Sequence, residues 1–433
     1  MTLLSGSLIF YALGEPKRLW ILLLSVGMNY FFGLGLERVG KHRGNDKKNR
    51  IKLNRKRKVM LAAAVFLNLG LLGVFKCGIG GRLPMGISFY TFQSLSYLLD
   101  VYRGEQKRET SLPTLATYIT MFPQLLSGPI VSYGEVRERL RRREFDAQGI
   151  QEGLKVFTLG LASKVLLADR IGLLWQEVQV KGIESISVQL AWLGAIAFSM
   201  KIYFDFCGYS LMASGVGRML GFVLPENFRN PYMACSVREF YRRWHITLSR
   251  WFCKYVYIPL GGNRKGEFRT VCNLLAVWFL TSVWHGITPN FLIWGMLLWL
   301  AIVIERQLGA LGIDRLAQKG PGRLISRFYV WTIIPVTWVC FAITDIGQLQ
   351  IYLGRMFGVF PGVNVNGMDW RNALADYGRL LAFGALGCTP VIRKIFNRLK
   401  DNFVGFILLA ALFWLCVWRV QVEGQNPFMY LQF

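Results

Sequence analysis

The sequence predicts an all-α polytopic membrane protein of about ten to twelve transmembrane helices, with re-entrant or interfacial helices around a central cavity or tunnel. Three observations predict it. Apolar residues are 53% of the 433, above the roughly 45–50% of an ordinary soluble chain. They are gathered into blocks, several of which reach or approach the ~20 residues that cross a bilayer. The basic residues lie between those blocks.

In chain order, the predicted spans are 3–13, 19–36, 59–75, 87–101, 112–127, 154–174, 188–206, 271–284, 291–304, 328–343, 377–387 and 403–417. The first is too short for a full crossing and reads as truncated or interfacial. The N-terminus has neither a charged start nor a small-residue cleavage site, so no cleavable signal peptide is expected. Membrane targeting then falls to the first helices themselves.

Net charge is +26, which in a soluble protein would suggest nucleic acid. Here the charge sits in runs at 38–58, 137–143, 264–269 and 393–400. Basic loops beside spanning helices follow the positive-inside bias, and the lipid bilayer is the expected partner. No nucleic-acid motif accompanies the runs, so nucleic acid is not an expected partner. The eight cysteines have no close-paired spacing, so neither a metal site nor a disulfide framework is expected. Repeats and low-complexity tracts are absent, so residues 1–433 read as one membrane domain.

Residues 205–269 differ from the rest. Arg218, Glu226, Arg229, Arg238, Glu239, Arg242, Arg243 and Arg250 are scattered there among aromatic, Gly and Pro residues. Polar, broken backbone at membrane depth is tolerated only inside protein or along a water-filled cavity. The segment therefore reads as re-entrant or interfacial helices around a cavity, with 205–285 as the catalytic core.

Three histidines can be weighed singly. His42 lies in the basic loop and reads as solvated. His285 ends the apolar run 274–284, where an ionisable group defaults to a functional role. Desolvation keeps an imidazole neutral, which suits a general base taking a proton from an alcohol. Packing glue between helices is the competing reading. On a continuous helix His245 would share one face with Tyr241, Leu248 and Phe252, either as a functional group or as a buried residue of an interfacial helix. Asn273 is twelve residues from His285, about 18 Å along a helix, and is left out of the site. No Gly-x-Ser-x-Gly elbow, paired carboxylates, Cys–His arrangement or Walker-type loop is present.

Several runs then become recognisable: Gly86-Ile87-Ser88-Phe89-Tyr90-Thr91-Phe92-Gln93, Phe122-Pro123-Gln124-Leu125-Leu126-Ser127-Gly128-Pro129-Ile130, Asp205-Phe206-Cys207-Gly208-Tyr209-Ser210 and Leu224-Pro225-Glu226-Asn227-Phe228. With them come Phe240-Tyr241-Arg242-Arg243-Trp244-His245-Ile246-Thr247-Leu248-Ser249, Tyr257-Ile258-Pro259-Leu260-Gly261-Gly262-Asn263-Arg264, Trp284-His285-Gly286 and the C-terminal run from Asn426 to Phe433. In this order, over nearly the whole chain, they resemble the membrane-bound O-acyltransferase family, in its bacterial branch of alginate and other polysaccharide O-acetylation proteins. The resemblance implies that His285 is the family's catalytic histidine and His245 the second, near a tunnel joining the two membrane faces. It also departs from the family pattern. The chain begins almost at Phe10–Pro16, so either one missing N-terminal helix or a different start site is expected. Cys207 stands where Ser is usual, and Leu211 where Asp is usual.

The implied activity is O-acyl transfer at the inner membrane of a bacterium. A cytoplasmic donor, acetyl-CoA or an acyl-carrier thioester, would give its acyl group to a polysaccharide hydroxyl or to a partner transferase, with no bound cofactor. His285 would be the base and His245 an oxyanion donor. Arg238, Arg242, Arg243 and Trp244 would line the donor entrance, and Trp284 would contact substrate. Expected partners are an extracytoplasmic acetyltransferase or esterase-like protein and a polysaccharide synthase complex. Two rivals remain: D-alanyl transfer to teichoic acid, and a non-catalytic acyl conduit.

Overall fold

The computed structural model describes residues 1–41, 47–312 and 320–424. Every regular element among them is helical. His42 and the C-terminal motif from Asn426 fall outside the described residues.

Six helices among the described residues are long and apolar enough to cross a membrane: Pro16–Val39, Ile51–Lys76, Val188–Met219, Pro289–Ala310, Gly320–Ala342 and Phe403–Glu423. The polytopic all-α architecture thus holds. The other apolar blocks are also helical but shorter, broken or more polar. Thr2–Gly14 has 13 residues. The block at 112–127 breaks at Met121, between Leu112–Thr120 and Phe122–Leu125. Glu267–His285 carries Glu267 and Arg269 in its first turn.

The chain divides into two compact units. One comprises Met1–Leu154 with Ala213–Pro225, and the other Lys155–Met212 with Glu226–Phe433.

In the first unit, Asn29 and Asn68 each donate to the other's side-chain oxygen, at 3.1 and 3.0 Å. This amide pair ties the two helices together at apolar depth. Helix Ile87–Arg103 is buried along nearly its whole length. It starts at Gly86, whose φ of +73° is open to glycine and whose missing Cβ would lie 2.4 Å from the Leu125 carbonyl oxygen. Glu109, fully buried, accepts from Tyr133 and from both Arg141 (2.9 and 3.0 Å) and the backbone N–H groups of Thr110 and Ser111.

The helix Ala147–Ala162, in the second unit from Lys155 onward, runs through a π-helical turn at Ser163–Ala168 into Asp169–Lys181. The turn aims Lys164 at Asp169 (2.6 Å) and at Asp205 (2.8 Å). Asp205 is buried in helix Val188–Met219, so each charge there has a counter-charge in place of water. The backbones come together at Gly160 and Gly208, where a Cβ on either would approach the other's carbonyl oxygen to 2.5 and 2.7 Å. This corrects the expectation for residues 205–269. The first fifteen continue a 32-residue helix, and the breaks begin only after Met219. The polar residue Asp205 is tolerated within that helix because Lys164 pairs with it.

After the break come two short helices, Val237–Arg243 and Ile246–Phe252, and a π-helical turn at Cys253–Tyr257. Glu305, on Pro289–Ala310, accepts from the backbone N–H groups of Val237 and Arg238. It thereby supplies the orphan donors of the first short helix with an acceptor. Glu267–His285 and Pro289–Ala310 form a close helical hairpin. A Cβ on Gly295 would lie 1.8 Å from Ser282 Oγ.

Candidate active site

His285 is the last residue of Glu267–His285 and is 5% exposed. Four aromatic rings hold its imidazole: Trp284 at 4.6 Å between centroids, Trp294 at 5.0 Å, Phe341 at 5.1 Å and Phe291 at 6.4 Å. The helix must stop here with almost no bulk beyond it, because a Cβ on Gly286 would sit 2.3 Å from the Phe291 ring. Phe341 is brought in by Asn290, whose amide donates to the carbonyls of Cys340 and Phe341, both at 3.1 Å. Thr288 donates in turn to Asn290 Oδ1 at 2.6 Å. Asn273, twelve residues back on the same helix, donates to the Gly262 carbonyl at 2.8 Å instead.

His245 does not lie inside a helix, as its sequence spacing suggested. It is the N-cap of Ile246–Phe252, with φ +44° and ψ +54°. A left-handed histidine is uncommon, and the surroundings show what holds it. Arg229 N–H donates to the Arg243 carbonyl at 2.9 Å, and Ile246 N–H to the Asn227 carbonyl at 2.9 Å. The turn is thus clamped on both sides by the strand-like segment from Glu226 to Arg229. The break nevertheless keeps Tyr241, His245, Leu248 and Phe252 on one cavity wall.

The Asn227 side chain fixes the state of the ring. Its Oδ1 lies 3.1 Å from His245 Nδ1, 2.9 Å from Thr247 Oγ1 and 3.3 Å from Thr247 N. Its Nδ2 donates to Ser210 Oγ at 3.0 Å. Thr247 N–H can only donate, so the atom facing it must be the amide oxygen. His245 Nδ1 therefore carries the proton toward that oxygen, and in the neutral ring Nε2 is left with a lone pair. His245 lies outside the six spans, and its complete burial holds its pKa below the usual histidine value, because desolvation disfavours the charged form.

Both histidines line one cavity of about 220 Å³, with Tyr241, Trp244, Trp278, Thr281, Trp294 and Trp338 among its other walls. Trp284 packs 6.5 Å from the His245 ring and 4.6 Å from the His285 ring but is not among the cavity's walls. The remaining sequence-predicted residues separate. Trp244 is buried on the cavity wall, packed on Trp338 at 4.9 Å and stacked on Phe240 at 5.6 Å. Arg238 and Arg242 are exposed and Arg243 pairs with Glu239 at 2.5 Å; none of the three is among the cavity's walls. Their positions on one short helix brought them together in sequence, but the helix buries its Phe240 edge and leaves the arginines facing outward.

Asn227, Trp294 and Trp338 were not singled out from the sequence. Asn227 stands in the run 224–228, but its role depends on a backbone turn eighteen residues away. Trp294 and Trp338 look like ordinary aromatic residues of apolar helices. Among the described residues no group of three or more His, Cys, Asp or Glu could hold a metal ion.

With this geometry in place, comparison with known proteins gives a consistent result. The sequence pattern of the membrane-bound O-acyltransferase family matches residues 94–343. The chain is 32% identical to the "Probable alginate O-acetylase AlgI" of Pseudomonas putida over 81% of its own length and 75% of that protein's. It is 30% identical to the "Peptidoglycan O-acetyltransferase" of Helicobacter pylori over 97% of its length and 82% of that protein's. Similarity to the "Teichoic acid D-alanyltransferase" of Bacillus subtilis is 28% over 49% of this chain and 56% of that one. A cavity bearing two histidines in an all-helical membrane fold, and a family pattern that covers both, lead to one conclusion: this chain belongs to the membrane-bound O-acyltransferase family.

Proposed function

We propose that the chain moves an acetyl group from a cytoplasmic thioester, acetyl-CoA or an acyl-carrier protein, to a hydroxyl of a cell-envelope polysaccharide or of a partner transferase. Its place would be the inner membrane of a bacterium. The observation that carries this reading is the shared cavity: His245 and His285 arrive from separate elements and meet on one mostly aromatic wall. Such a wall excludes water, which strengthens each polar interaction inside it.

His285 is the general base in this proposal. It takes the hydroxyl proton as the oxygen attacks the acyl carbon, then passes it to the leaving thiolate. His245 has a different part. Its Nδ1–H is committed to Asn227, so Nε2 is an acceptor and orients the incoming alcohol by receiving a hydrogen bond. His245 thus has no hydrogen to offer a developing oxyanion, unlike the donor role expected of it from the sequence. Trp244 shapes the cavity around the substrate, and Trp284 packs against the His285 ring. Arg238 and Arg242 keep a part only at the surface, where guanidinium groups suit an anionic donor carrier. An extracytoplasmic acetyltransferase or esterase-like protein and a polysaccharide synthase complex are the proposed partners.

The acetylating relatives are matched over most of their length and the D-alanyl one over about half, which favours acetyl over D-alanyl. The test is the O-acetyl content of the cell surface in a deletion strain carrying either the wild-type gene or His285→Ala. Restoration by the wild type alone is expected. Full restoration by His285→Ala would favour a conduit that performs no chemistry.

A further inference from the structure

With His245 held as an acceptor, the cavity must find its hydrogen-bond donor elsewhere. A developing oxyanion needs an N–H or O–H aimed at it from a dry wall. Two cavity hydroxyls are already engaged: Thr281 Oγ1 donates to the Val277 carbonyl at 2.8 Å, and Ser249 Oγ to the Tyr241 carbonyl at 2.9 Å.

The tryptophans of the same unit give the contrast. Trp192 donates to the Met356 carbonyl at 2.8 Å, Trp299 to Val271 at 3.2 Å and Trp331 to Tyr232 at 2.7 Å. Trp294 is 2% exposed and lines the cavity, yet its indole N–H, like that of Trp338 on the same wall, has no hydrogen-bond partner among the described residues; of the two, only Trp294 packs its ring on His285 among the ring contacts described. A buried indole N–H is usually bonded, and an unbonded one costs about 1–3 kcal/mol. Its ring stands nearly perpendicular to that of His285, 5.0 Å away at 84°. The adjoining Gly295, pressed against Ser282, fixes the approach of the helix that carries it.

We propose that Trp294 is a catalytic residue that donates its indole N–H to the carbonyl oxygen of the acyl group. This rests on the reading of His285 as base. The hydroxyl oxygen bonds to the acyl carbon while its proton passes to His285. The carbonyl electron pair moves onto oxygen, where Trp294 N–H receives it. The pair then returns, the C–S bond breaks, and the thiolate takes the proton from His285.

The test replaces Trp294 with benzothienylalanine, which keeps the bicyclic shape and puts sulfur where the N–H was. The full-length protein is reconstituted in liposomes with acetyl-CoA as donor probe, and thiol release is followed with and without an alcohol acceptor. The analogue is expected to lower kcat by about 10²–10³-fold with KM little changed, and Trp294→Phe at least as much. Undiminished, His285-dependent turnover in the analogue overturns the proposal while leaving the base in place. Equal turnover in wild type and His285→Ala overturns the underlying reading instead. Tyr241→Phe and Trp338→Phe examine the other polar edges of the wall. A loss of that size in either, with the Trp294 analogue active, moves the donor role there.

Discussion

The two histidines of the cavity sit in different settings. His245 sits in a strained turn and is held by hydrogen bonds: Asn227 receives its Nδ1–H, and Thr247 and Ser210 hold Asn227. His285 sits at the end of an unstrained helix, ringed by four aromatic side chains. The Asn227 bond selects a tautomer at His245, whereas the rings around His285 fix its position. A group that must bind and release a proton in every cycle belongs in the second setting. A group that must present the same lone pair throughout belongs in the first.

That contrast is most directly broken at His285. His285→Ala is expected to lower acyl transfer by about 10²–10⁴-fold, the range for a positioned general base, with the protein still folded because the ring is replaced inside a cavity wall. The measurement is thiol release from acetyl-CoA alongside a thermal melt. Activity within a few-fold of wild type would remove the distinction between the two rings.

The next effect is expected at Asn227. Asn227→Leu keeps the volume but leaves His245 Nδ1–H and the Thr247 hydroxyl without their acceptor. Each unsatisfied group costs about 1–3 kcal/mol, so the melting temperature falls. The freed imidazole can also take the other tautomer, which turns Nε2 from acceptor to donor. A drop in kcat larger than that in His245→Gln would show that the wrong tautomer is worse than none. Equal losses would mean that Asn227 serves only the fold.

A smaller effect is expected where the ring cage meets the backbone. Gly286→Ala places a methyl against Phe291, and relieving that overlap is expected to cost about 1–3 kcal/mol. Because Phe291 stacks on His285, kcat should fall along with stability. An unchanged melting temperature would show that the hairpin yields more easily than the packing suggests.

How much of this the sequence disclosed follows from the same contrast. His285 was legible because an ionisable residue stands out against an apolar run, and its burial at the end of Glu267–His285 agrees with that signal. The position of His245 was not, because helical spacing carried it through 241–252 as if unbroken. Its left-handed φ comes from Asn227 and Arg229, whose backbone bonds to the turn have no trace in local periodicity. The stretch from Asp205 reads as too polar and broken for plain spanning helix, and the partner that pairs with Asp205, Lys164, lies forty-one residues earlier on a π-helical turn. Arg238 and Arg242 illustrate the converse: neighbours of a cavity residue in sequence, they face outward in space. Composition and block length report which helices exist. They are silent on pairings between distant polar residues, which is where the candidate site is built.

The smallest expected effect concerns acid. Burial holds the pKa of His245 below its usual value, so the folded protein takes up this proton less readily than the unfolded chain, where histidine titrates near 6.5. Above about pH 6.5 neither state binds it, and stability is independent of this group. As pH falls below that value the unfolded chain gains the proton first, and folding stability declines by up to about 1.4 kcal/mol per pH unit from this residue alone. Melting curves of the detergent-solubilised protein from pH 8 to pH 5 should therefore slope downward below 6.5, and His245→Gln should flatten that slope while leaving the pH 8 value little changed. Catalysis should show no inflection from His245 across the same range, because its ring stays neutral throughout. A slope that persists unaltered in His245→Gln would assign the acid sensitivity to other groups and deprive His245 of its fixed lone pair.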